Sequence, residues 1–406
     1  MVSDVSAMDR GLVGIDSGDM RILNQWRFGA RRQLAILLVA FALILAGCRG
    51  ENRPNVEVIG GADTASVSDI DVPPEGASPA AKPPGGGTSM VSSGYVPEAN
   101  VNLYFAMSLD RRDIRAALSP SQGPPDWARA LAIYEQGKNA IRPNGTPRPL
   151  AGLPNDAVHA VFPDGPAVYG RQNMIDGVIR EGLNGTGRAA GLSDDARRRI
   201  VDNGLLMLFY ATALQEFSAS QTRLEANAAN PTVPLDETFA ILAGAPEGNA
   251  RPYALFAVAS DREKDFKLDG KVSAPLEAAL VAARTAVRTN DRAAFRSAYA
   301  EGKGYINAIF YLSTLQSVRA AERDTTPAAR QATLAEGWAY WQSIRAATAG
   351  GSRQAASEIE VALTRDPTAP WLAADATRVY ASLNEPAVLA ALGIPPSLQI
   401  KSSTNP

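Results

Sequence analysis

Carboxylates set on apolar helix faces are the residues of this sequence best placed to do chemistry. In the segment after Ser193, the residues Leu205, Leu208, Phe209 and Thr212 fall on one helical stripe, and Glu216 continues it. A carboxylate on a buried stripe must find a partner, a proton or a metal. Two more carboxylates stand four residues before a tyrosine, Glu301 before Tyr305 and Glu336 before Tyr340, so each pair would project an acid and a phenol from one helix face. Carboxylate with phenolate is hard oxygen chemistry suited to ferric iron, and carboxylates alone also suit manganese, calcium or magnesium. The competing reading for each residue is a surface hydrogen bond or an arginine salt bridge. Asp236 and Glu237 follow Pro234 and Leu235 at an expected helix start, where acidic residues complement the dipole. Asp261, Glu263 and Asp265 interleave with Arg262 and Lys264, the pattern of a solvated face.

Other chemistries lack their residues. The single histidine, His159, falls in a loop-like stretch between Pro154 and Pro163, which leaves Ser-His-Asp hydrolysis, Cys-His catalysis and histidine-rich zinc or copper sites poorly supported. No Glu-x-x-His, phosphate loop or dinucleotide fingerprint is present.

The elements that must position these side chains read as nearly all α-helical. Alanine is abundant, β-branched runs are short, and helix starts are marked at Pro125-Asp126, at Ser193 before Asp194 and Asp195, at Asn290-Asp291 and at Thr326-Pro327. Breaks at 120–124, 143–154, 163–166, 182–192, 229–234, 244–248, 269–271 and Gly350-Gly351 leave about nine or ten helices. The segment from Ser193 to about Ala226 is apolar nearly all round between Leu205 and Leu214, as expected of a central buried helix. A second long helix is expected over Asp291–Arg323, with Phe295, Ile306, Ile309, Phe310 and Leu312 turned inward. The expected architecture is all-α, a multi-helix bundle in one large domain over residues 97–406. A short repeat, Leu-x-Glu-x-aromatic-Ala, relates Leu235–Ala240 to Leu334–Ala339 and would matter if its two copies faced a shared site.

Upstream, Arg27, Arg31 and Arg32 precede an apolar run from Leu34 to Leu45 that closes as Leu45-Ala46-Gly47-Cys48. A spanning helix needs about twenty apolar residues, so the run suits a signal-peptide core instead. Leu-Ala-Gly-Cys resembles the lipobox of bacterial lipoproteins, which implies that residues 1–47 are a signal peptide and Cys48 the acylated N-terminus of the mature chain. The acidic stretch before the run, with Asp4, Asp9, Asp16 and Asp19, makes Met20 a plausible true start. Several acyl chains would anchor the protein firmly to a membrane. Arg49 is not the aspartate that favours inner-membrane retention in that class, so the periplasmic face of the outer membrane is favoured where two membranes exist. Residues 48–96 are rich in Pro, Gly and Ser, too poor in large apolar groups to offset ordering entropy, and read as a tether. Cys48 has no second cysteine to pair with inside the chain. From Cys48 onward 35 basic side chains face 38 acidic ones, so no basic excess attracts nucleic acid.

The run Leu235–Gly244, then Pro252-Tyr253-Ala254-Leu255, then Arg262–Phe266, then Ala335–Trp341 resembles the low-iron-inducible iron-assimilation periplasmic proteins of green algae and their bacterial relatives. The resemblance covers roughly Asp195–Ala347. It implies an all-helical extracytoplasmic protein of iron capture or handling and no enzyme of known chemistry, with Glu216, Glu237, Asp265, Glu301 and Glu336 as ligands or site-lining residues. Thr238 and Phe239 stand where the later copy has Gly337 and Trp338, which counts against two equivalent sites.

The leading expectation is therefore a surface lipoprotein whose helical domain binds iron, manganese or another hard cation through carboxylates, with tyrosine help from Tyr305 and Tyr340. The alternative is an adaptor lipoprotein that binds an envelope protein partner in a groove lined by Trp338, Tyr340, Trp341, Trp371 and Tyr380. A hydrolase with paired carboxylates is a third reading, for which no pair is fixed by spacing.

Overall fold

A computed structural model describes residues 94–153, 165–170, 173–248 and 250–402. Cys48, the lipobox, the tether up to residue 93 and His159 lie outside the described residues. The chain divides into two units, 1–77 and 78–406, and every described residue belongs to the second.

Each of the four helix starts read from caps is present. Asp126 accepts from Arg129 N at 2.9 Å, Ser193 Oγ from Ala196 N at 3.3 Å, Asp291 from Ala294 N at 2.9 Å and Thr326 Oγ1 from Ala329 N at 3.2 Å. Each cap satisfies a backbone donor that its helix cannot. The helices in chain order are α1 (Asn102–Leu118), α2 (Trp127–Gln136), α3 (Gly165–Tyr169), α4 (Met174–Asn184), α5 (Asp194–Glu225), α6 (Thr232–Ala243) and α7 (Leu255–Phe266). They continue with α8 (Ser273–Arg288), α9 (Arg292–Ala321), α10 (Pro327–Gly351), α11 (Arg353–Leu363), α12 (Ala373–Leu383) and α13 (Pro386–Leu392). The excess over nine or ten comes from short helices such as α3 and α13. Among the described residues the only β-pairings are two isolated bridges, Ile141 with Pro147 and Glu247 with Ala250, so the fold is all-α.

The long helix α5 is the axis of the domain. Every residue from Asn203 to Leu214 is buried, because α4, α6, α9 and α10 all pack against it. Helix α9 is its counterpart, buried without interruption from Ile306 to Leu315. The two are joined by the Tyr210 hydroxyl donating to Asn307 Oδ1 at 2.7 Å, and Asn307 Nδ2 donates in turn to Leu392 O at 2.7 Å. Packing at α9 needs glycine at two places: a Cβ on Gly304 would collide with the carbonyl oxygen of Gly393, which caps α13, and one on Gly302 would lie 2.7 Å from the Phe217 ring.

The aromatic groove does not form. Trp338, Tyr340, Trp341 and Tyr380 are buried, and Trp371 is half-buried against the same core. The indoles of Trp338 and Trp341 donate to Glu360 at 3.1 and 3.0 Å, and Gln342 adds a third donor at 3.1 Å, so these rings are core with their polar edges satisfied. Tyr95, grouped with the tether by composition, is also core. It stacks on Phe239 at 4.6 Å and donates to Asp236 at 2.7 Å. The segment Gly94–Val101 thus forms a strap across α6 and α8, where Arg284 binds the Val96 carbonyl and the Glu98 carboxylate.

Candidate functional site

Helix α6 enters against α5, and its first turns fix two adjacent acids in opposite settings. Asp236 is fully buried and accepts from the Tyr95 hydroxyl and from the Glu98 and Ala99 amides, both at 2.9 Å. It is a structural anchor, not the surface dipole partner that its position near a helix start implies. Glu237, about 100° further round the helix, meets Glu216 of α5 carboxyl to carboxyl.

Two carboxyl groups can share a hydrogen bond only if one keeps its proton. Burial pushes the proton affinity of both residues upward, and at Glu237 the neighbouring Glu216 charge adds to the rise. Arg148 and Arg223 pull both back toward ionisation. The Tyr104 phenol of α1 stands close enough to feel both carboxylates, and burial first, then the two acids, make it harder to ionise. Arg148, from the loop after α2, stacks its guanidinium 5.0 Å from the centre of the Tyr104 ring. Glu216, Glu237, Tyr104 and Arg148 therefore form one half-buried cluster.

The other expected ligands go elsewhere. Glu336 is ion-paired with Arg199 of α5. Tyr340 lies beside it in a crevice of about 360 Å³, whose walls also carry Arg111, Arg115, Arg198 and Arg262. Asp265 pairs with Arg262 at 3.0 Å. Glu301 is exposed at the surface of α9, and partial burial of Tyr305, with the Glu301 charge second, makes that phenol harder to ionise. Glu263, placed on a solvated face by the alternation of charge, is buried and accepts from the Val272 and Ser273 amides at 2.7 and 2.6 Å. The two copies of the short repeat do not share a site. Glu237 faces Glu216 and Glu336 faces Arg199, points about 25 Å apart along α5 at 1.5 Å per residue.

Among the described residues no three His, Cys, Asp or Glu side chains gather in a metal-holding group. A cation at Glu216 and Glu237 would take two carboxylates, with the Tyr104 phenol as a third hard donor and solvent oxygens beyond them. Displacing a proton held there exposes the lone pairs that such an ion needs. Tyr104 and Arg148 were missed because each comes from a different element, and a tyrosine in α1 or an arginine in a Pro-rich loop carries no local sign of a site.

Among the described residues no helix is long and apolar enough to cross a membrane. No curated protein and no solved structure matches the chain. A family model described as low iron-inducible periplasmic protein matches residues 77–336, well over half the chain. The match takes in the paired carboxylates at positions 216 and 237 and ends at Glu336. With an all-helical domain built round that pair, the chain belongs to the low iron-inducible periplasmic protein family.

Proposed function

We propose that this protein is an extracytoplasmic lipoprotein, held to a membrane by acylated Cys48, that captures or handles iron through the Glu216–Glu237 pair. One observation carries the reading: two half-buried acids from different helices meet beside a phenol, in a fold whose family is named for induction by low iron. Hard oxygen donors favour ferric iron, and manganese is the alternative cargo. Glu301, Tyr305, Glu336, Tyr340 and Asp265 hold no place in this site. The role is binding and delivery, without a catalytic step.

Elemental analysis of chain purified without chelator or affinity metal, followed by iron and manganese titration with thermal unfolding, tests the cargo. Near-stoichiometric metal, or a melting rise that saturates in wild type and is lost in Glu216→Gln and Glu237→Gln, supports it. A metal-free chain indifferent to both ions sinks it. Anchoring is tested by labelled palmitate incorporation, which Cys48→Ala must abolish together with membrane fractionation.

A further inference from the structure

The crevice that holds Glu336 and Tyr340 is unsuited to a cation. Five arginines line it, Arg111, Arg115, Arg198, Arg199 and Arg262, against four acids. The acids are largely answered from within. Arg111 clasps both oxygens of Asp202 at 2.8 and 2.9 Å, Arg199 holds Glu336, and Arg198 reaches Asp195 at 2.7 Å. Asp261 sits at the exposed rim with Lys264 at 3.4 Å.

Two guanidiniums are left with donors to offer. Arg115 is half-exposed and contacts Asp202 only at 3.7 Å. Arg262 pairs with Asp265, which is not part of the lining. Between the arginines lies an apolar wall of Ile114, Leu118, Pro252, Ala257 and Val258.

We propose that this crevice binds a small polycarboxylate anion, its carboxylates on Arg115 and Arg262 and its carbon frame against the apolar wall. Guanidinium forks match carboxylates in bidentate geometry. The volume of about 360 Å³ falls at the lower end of small-molecule sites, roughly 300–1,000 Å³, and is roomy for a single inorganic oxyanion. The buried Tyr340 phenol, made harder to ionise first by burial and second by Glu336, stays a neutral donor in the wall. The site lies about 25 Å along α5 from Glu216 and does not depend on the metal reading.

Calorimetric titration of the full chain in detergent with citrate at fixed ionic strength tests it, with inorganic phosphate and acetate as comparison probes. One saturable citrate site per chain is expected, with phosphate and acetate weaker by about tenfold or more. Arg115→Gln and Arg262→Gln should each weaken citrate by about tenfold, the size of one lost charge-assisted bond, while Glu216→Gln leaves it unchanged. Absence of saturable heat would overturn the proposal. So would phosphate binding as tightly as citrate, or unaltered citrate binding in the variants. If Arg262→Gln does not fold, Arg115→Gln decides alone, because its side chain is half-exposed and makes no close ion pair.

Discussion

Glu216 on α5 and Glu237 on α6 meet carboxyl to carboxyl, and burial, with the charge of Glu216 acting on Glu237, favours keeping a proton at this helix contact. Its pH dependence has a definite sign. A free glutamate titrates near pH 4.3, and in the folded chain both residues are raised above that, chiefly by burial. The stabilisation is therefore complete below the unfolded value and is lost as pH rises through the raised one. Wild type should lose melting temperature between about pH 5 and pH 9 more steeply than Glu216→Gln, which keeps only one raised carboxyl, that of Glu237. Parallel curves for the two proteins would remove the retained proton from the account.

Metal and proton compete for the same oxygens. Iron or manganese uptake should release a proton, measurable as a calorimetric heat that changes with the ionisation enthalpy of the buffer, and apparent affinity should rise with pH. Glu237→Gln should abolish both effects.

Arg148 sits beside the pair as a fixed positive charge. Its removal in Arg148→Gln favours a di- or trivalent cation more than a proton, so metal should bind more tightly at constant pH. Weaker binding in this variant would mean that the guanidinium orients Tyr104 rather than opposing the ion.

Gly304 and Gly350 form a matched test of packing. A methyl at Gly304 collides with the Gly393 carbonyl, whereas one at Gly350 meets nothing within 4 Å. Gly304→Ala should cost about 1–3 kcal/mol by overpacking, and Gly350→Ala should be neutral or gain up to ~1 kcal/mol from helix propensity. Urea unfolding at constant slope measures both.

The same contrast separates what could be read in the sequence from what could not. The caps at Asp126, Ser193, Asp291 and Thr326 were legible because each bond closes within three residues. The unbroken burial of Asn203–Leu214 was legible because it is written as composition. Glu216 was found on its stripe, but the acid that meets it is set by how α6 lies on α5, which no periodicity encodes. Glu336 and Tyr340 followed the same spacing rule and landed among arginines. Their partner Arg199 is 137 residues distant, and of the run Arg197-Arg198-Arg199 only the last two reach the crevice. Asp236 reads as a dipole residue until Tyr95 reaches it from 141 positions away.

That last contact decides where the protein can be cut. A truncation beginning at Pro97 would keep every helix and still discard the ring stacked on Phe239, the hydroxyl on Asp236 and the carbonyl that holds Arg284. Asp236, left with only the Glu98 and Ala99 amides, would sit one residue from Glu237. The shortest expressible fragment that preserves the neighbourhood of the paired acids therefore starts at or before Gly94.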